Sequence, residues 1–89
     1  MMRQVQVSQT FQKQLKSVEK KLKKRILDGL RNLGSDPYTP RSGTDIIPVK
    51  GTHPQKYRLR VGDYRIVYVV EKDTVRIIEM FPRGRGYRE

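Results

Sequence analysis

Apolar residues recur along this chain with two different periods, and the changes of period divide it into elements. Near the N-terminus, "RQVQVS" sets Val5 and Val7 between polar neighbours, the period-two pattern of a short half-buried strand. From Phe11 the steps lengthen. Leu15, Val18, Leu22, Ile26, Leu30 and Leu33 follow at intervals of three and four and form one helical stripe. Either one long bent helix or two helices in a hairpin would carry that stripe. A usual helix length of about 11–12 residues favours two, hinged near Ser17. Gly34 stands where a C-terminal cap is expected, and Pro37 prevents continuation. "GSDPYTPRSGTD", Gly34 to Asp45, reads as a stiff loop, and "IIPVKG" begins an extended segment that Pro48 confines to a sheet edge.

Three clearer strands follow, "KYRLRV", "YRIVYVV" and "TVRIIEM", joined by Gly62-Asp63 and by "EKD". A two-residue loop with glycine first suits a type II′ turn, or type I′ if Asp63 also takes positive φ. The expected fold class is α+β: an N-terminal strand and two helices packed on an antiparallel sheet of about four strands, in a single domain over residues 1–89.

The Gly62-Asp63 loop fixes a register. Val61 faces Tyr64, Arg60 faces Arg65, Leu59 faces Ile66, Arg58 faces Val67 and Tyr57 faces Tyr68. Cross-strand partners share a face, so Arg58, Arg60 and Arg65 gather on one side while Leu59, Val61, Tyr64, Ile66 and Tyr68 take the other. Like charges directly opposite are destabilising, so Arg60 against Arg65 suggests an anion between them. A third strand turning at Lys72-Asp73 would set Ile77 on the core side. It would add Ile78 and Met80 to Val67 and Val69 as an apolar floor on the arginine side.

Charge sharpens this picture. Twenty Lys and Arg oppose nine Asp and Glu, a formal net charge of +11 on 89 residues. That excess points to a polyanion, nucleic acid first, with a membrane surface and an acidic protein as weaker fits. "KKLKKR" contributes Lys20, Lys21, Lys23 and Lys24 as candidate RNA-binding residues on a helix, although such runs are often only solvated faces. "FPRGRGYRE" adds Arg83, Arg85, Arg88 and Tyr87, cations interleaved with an aromatic as in phosphate binding plus base stacking. The chain has no cysteine, no apolar run of membrane-spanning length and no signal-peptide pattern, so a soluble cytoplasmic protein is expected.

Conventional catalytic machinery is sparse. The lone histidine, His53, falls in a loop and reads as incidental; no metal-ligand spacing, P-loop or dinucleotide fingerprint is present, and no metal or small-molecule cofactor is expected. Attack by a ribose 2′-hydroxyl on its own phosphate needs chiefly orientation and charge stabilisation, which arginines supply.

The basic chain, its strand–helix–helix–hairpin order, "IIPVKG", "YRLRVGDYRIVY" and the Arg/Tyr-rich C-terminus together resemble the RelE/ParE superfamily of toxin–antitoxin toxins, over essentially the whole length. The resemblance is greatest to RelE toxins, ribosome-dependent endoribonucleases that cut mRNA in the A site and are neutralised by a cognate antitoxin. It implies that Arg58 and Arg60 stand where RelE proteins commonly carry lysines, and that Arg65 grips the scissile phosphate. Arg83, or Arg85 in its place, would serve the leaving group, and Tyr87 would stack on a base. Arginine for lysine is a departure, because a guanidinium cannot act as a base. That leaves Tyr87 or a neighbouring phosphate to take the 2′-hydroxyl proton. The implied partners are the antitoxin, ribosomal RNA and mRNA. Two alternatives stand beside this one: a ParE-like toxin that inhibits DNA gyrase, and a non-catalytic basic RNA-binding relative.

Overall fold

A computed structural model describes residues 2–82 of the chain. Its elements are β1 (Gln4–Val7), α1 (Gln9–Lys16), α2 (Lys20–Ser35), β2 (Asp45–Val49), β3 (Lys56–Val61), β4 (Tyr64–Glu71) and β5 (Thr74–Pro82). The strands form one mixed sheet in the order β1-β5-β4-β3-β2. Four strands are antiparallel, as expected from the sequence, and β1 joins them as a fifth, parallel to β5. That parallel pairing requires a long connection, and the chain between β1 and β5 runs through both helices and then β2, β3 and β4.

Ser8 makes the transition from strand to helix. Its Oγ accepts from the amide of Phe11 at 3.0 Å as an N-cap and itself donates to the carbonyl of Ile78, while the Ser8 amide donates to the carbonyl of Ile77 at 3.0 Å. The helical stripe breaks where expected. The amide and hydroxyl of Ser17 both donate to the carbonyl of Gln14, and Glu19 is extended, so α2 starts afresh at Lys20.

Phe11, Val18, Ile26, Leu30 and Leu33 pack against Leu59, Ile66, Tyr68, Val75 and Ile77 in one core between the helices and the sheet. Burying each such aliphatic side chain contributes about 1.5–3 kcal/mol. The Tyr68 hydroxyl, buried with its ring, donates to the carbonyl of Pro37 at 2.7 Å and ties the loop after α2 to the central strand.

Gly34 is not a C-cap. Helix α2 continues through Ser35 with Asp36 as its cap residue, and Gly34 lies buried on the helix. A Cβ there would stand 3.1 Å from the carbonyl oxygen of Arg3, so the glycine serves the close approach of α2 to β1. Pro48 lies in the edge strand β2, as expected.

Candidate nucleic-acid interface

The β3–β4 hairpin has the register read from its turn: Val61↔Tyr64, Arg60↔Arg65, Leu59↔Ile66, Arg58↔Val67 and Tyr57↔Tyr68. Gly62 has φ +55°, and no residue other than glycine has positive φ among the described residues. Asp63 therefore does not meet the demand of a type I′ turn, and type II′ is the form that remains. With Leu59, Ile66 and Tyr68 in the core, alternation puts Arg58, Arg60 and Arg65 on the opposite face.

Three rows of side chains cross that face. Asp45, Arg60, Arg65 and Phe81 form one; Ile47, Arg58, Val67 and Glu79 form the next; Val49, Lys56, Val69 and Arg76 form the third. Val67 and Val49 are buried yet lie outside the main core cluster, so an apolar floor does underlie the cations.

Part of the expected floor is different. β4 and β5 shift register between Val67 and Tyr68: Tyr68 pairs with Ile77, Val67 pairs with Glu79, and Ile78 is the extra residue of a bulge. Met80 consequently pairs with Ile66 and belongs to the core at 3% exposure, not to the arginine face, and Ile78 has no cross-strand partner. One inserted residue inverts the alternation downstream, which brings Glu79 and Phe81 onto the arginine face. The spacing of Val75, Ile77 and Met80, a step of two followed by a step of three, is the sequence trace of that bulge.

Arg58 and Arg65 are half-buried and Arg60 is exposed. Nε of Arg58 and Nη1 of Arg65 are buried without a hydrogen-bond partner. An unpaired buried donor costs roughly 1–3 kcal/mol, more when charged, and an anion seated on this face would offset that cost.

The helix lysines belong to another surface. Lys20, Lys21, Lys23 and Lys24 occupy the first turns of α2, around the exposed Leu27, on the layer that covers the opposite face of the sheet. No acidic residue occupies the first turn of α2, whose N-cap residue is Glu19, so the four lysines lie at the end of the helix dipole that is unfavourable for cations. A further cation, Arg25, reaches the hairpin turn: its Nη1 lies 3.5 Å from where a Cβ on Gly62 would be. Arg25 and Arg60 line a shared open cleft of about 490 Å³ with Asn32, Thr44 and Asp45. Arg25, Lys56, Phe81 and Glu79 are thus additions to the residues singled out from the sequence. Arg83, Arg85, Tyr87 and Arg88 lie outside the described residues. His53 is exposed in the β2–β3 loop.

Residues 5–87 match the family model described as ParE toxin of type II toxin-antitoxin system, parDE. No curated protein matches significantly. Among solved structures, the chain is similar to the archaeal RelE–RelB complex of Pyrococcus horikoshii OT3, with 34% identity, TM-score 0.82, and coverage of 97% of this chain and 100% of that one. It is also similar to the RelB–RelE antitoxin–toxin complex of Methanococcus jannaschii, at 31% identity, TM-score 0.70, and 86% and 88% coverage. The YoeB dimer of Staphylococcus aureus shares the fold at 18% identity and TM-score 0.71, over 89% of this chain and 94% of that one. On the strength of the family match over nearly its whole length, and of the RelE-like fold behind its arginine-lined sheet, the chain belongs to the RelE/ParE superfamily of type II toxin–antitoxin toxins.

Proposed function

We propose that the protein is a ribosome-dependent endoribonuclease that cleaves mRNA in the A site through metal-independent attack of a 2′-hydroxyl on the adjacent phosphate. The observation that carries this reading is the pair of buried, unpartnered guanidinium nitrogens on Arg58 and Arg65, beside the facing pair Arg60 and Arg65. Convergent cations of this kind stabilise the charge that develops on a phosphate during transfer. Arg65 takes the scissile phosphate, with Arg58 and Arg60 flanking it. Arg83 or Arg85 attends the leaving oxygen, Tyr87 stacks on a base and Arg88 holds a further phosphate. Lys20, Lys21, Lys23 and Lys24, on a separate surface, hold ribosomal RNA.

A cytoplasmic setting and a cognate antitoxin complete the reading. The similarity to RelE–RelB complexes supports such a partner. Purified protein added to programmed ribosomes should cut the message at the A-site codon, and Arg65→Ala should abolish cutting. Unchanged cleavage by Arg65→Ala removes Arg65 from the role.

The description of the matched family model favours a second reading, a ParE-like inhibitor of DNA gyrase. Growth arrest with DNA damage and intact message supports it over the first. Binding to ribosomes with neither cleavage nor DNA damage supports a non-catalytic RNA-binding relative.

A further inference from the structure

An arginine-built site binds phosphate but offers no group to take a proton, since a guanidinium has donors and no acceptor. The β5 bulge alters that balance. By inserting Ile78 it brings Glu79 opposite Val67, in the same row as Arg58 and diagonal to Arg65. Diagonal neighbours of this kind lie about 7–8 Å apart at the backbone, within joint reach of one nucleotide by long side chains. Glu79 is half-buried, and its carboxylate makes no ion pair or hydrogen bond among the described residues.

Among the described residues, two other carboxylates share the face. Glu71 stands beyond the third row and pairs with Arg76 at 3.7 Å. Asp45 is exposed on the edge strand β2, beside Arg60 and two strands from Arg65. Among the described residues Glu79 is the one on a strand adjacent to Arg65, and its described neighbours across the face are cationic or apolar: Arg65 and Val67 on β4, Arg58 on β3, and Phe81 on its own strand.

We infer that Glu79 accepts the proton of the attacking 2′-hydroxyl, an assignment that rests on the endoribonuclease reading above. The 2′-oxygen gives its proton to the Glu79 carboxylate and bonds to phosphorus. The bond from phosphorus to the 5′-oxygen breaks, that oxygen takes a proton from water, and a 2′,3′-cyclic phosphate and a 5′-hydroxyl result. Glu79 returns its proton to solvent.

The test is single-turnover cleavage on programmed ribosomes, with ribosome affinity measured separately. Glu79→Gln should cut about 100-fold more slowly or worse, the usual scale for removal of a general base, with affinity unchanged. Asp45→Asn should cut at close to the wild-type rate. In Glu79→Ala, added imidazole should restore part of the rate, and it should restore none in Arg65→Ala. Wild-type cleavage by Glu79→Gln, or the loss appearing in Asp45→Asn instead, overturns the assignment. If Glu79→Gln does not fold, folded Glu79→Ala decides, and no restoration by imidazole overturns it. Absence of cleavage by the unaltered protein overturns the endoribonuclease reading, and the assignment with it, so the two failures are told apart.

Discussion

Arg60 and Arg65 stand directly opposite one another across the β3–β4 hairpin, with Asp45 beyond Arg60 and Phe81 beyond Arg65. Neither arginine forms an ion pair among the described residues. Two cations so placed repel by roughly 0.2–1 kcal/mol, a cost retained in the free protein and removed when an anion binds. Arg60→Ala should therefore leave stability unchanged or raise it slightly, while lowering affinity for RNA. Denaturant titration and oligonucleotide binding on the same variant check both halves, and a clear loss of stability contradicts the first.

The bulge makes a separate, purely structural prediction. Met80 is a core residue and Ile78 is half-buried beside it. Met80→Ala should cost about 2–5 kcal/mol, and Ile78→Ala markedly less. Strands in unbroken alternation, with Met80 on the arginine face, would give the small value for Met80. Urea unfolding of the two variants distinguishes the cases.

Tyr68 predicts a dependence on high pH. Burial, reinforced by Tyr57, pushes its phenol well above the ordinary value of 10.0, because the phenolate would lose water and the hydroxyl would lose its bond to Pro37. A folded-state pKa raised above the unfolded value gives stability that is full below pH 10.0 and declines as pH rises past it, since the unfolded tyrosine ionises first. Tyr68→Phe should be less stable at neutral pH by about 1 kcal/mol and should lose less as pH climbs. Thermal melts of both proteins between neutral and strongly alkaline pH measure the difference.

Two helical glycines should respond differently to alanine. At Gly34 the new methyl would meet the backbone oxygen of Arg3 at 3.1 Å and Val5 Cγ2 at 3.3 Å. The Arg3 amide donates to the Gly34 carbonyl at 2.9 Å, so that backbone is held in place. At Gly29 the nearest atom is Leu59 Cδ2, at 3.1 Å, the end of a side chain that can shift. Alanine gains about 1 kcal/mol of helix propensity at either position. Gly29→Ala should be close to neutral, and Gly34→Ala should destabilise. Paired denaturation curves test the ordering.

Salt dependence addresses the α2 lysines. Replacing Lys20, Lys21, Lys23 and Lys24 with glutamine should weaken RNA binding and flatten its salt dependence by about 0.7 in log–log slope for each phosphate that is no longer neutralised. An unchanged slope would mean that these lysines are only a solvated face.

Much of the architecture lay in local pattern. The three-and-four spacing from Phe11 to Leu33 specified the helical layer, and the bond-forming Ser17 marked its break. A two-residue loop at Gly62-Asp63 leaves a single register, so five cross-strand pairs and the gathering of three arginines followed from counting outward from it. The extent of α2 was less local. Gly34 has the chemistry of a cap, and only the position of β1 against α2 made it a packing residue inside the helix.

The other side of the candidate site belongs to tertiary structure for the same reason. A bulge depends on two strands together: Ile78 is extra only because Tyr68 takes Ile77 into the core and Ile66 takes Met80. Nothing in "RIIEMF" read alone compels that choice, since either phase of alternation would bury an aliphatic residue. The sequence determined where the arginines converge, because a tight turn propagates register over a few residues. Packing between distant segments decided that Glu79 stands with them, because the bulge buries Met80 against Ile66 where unbroken alternation would have set Glu79.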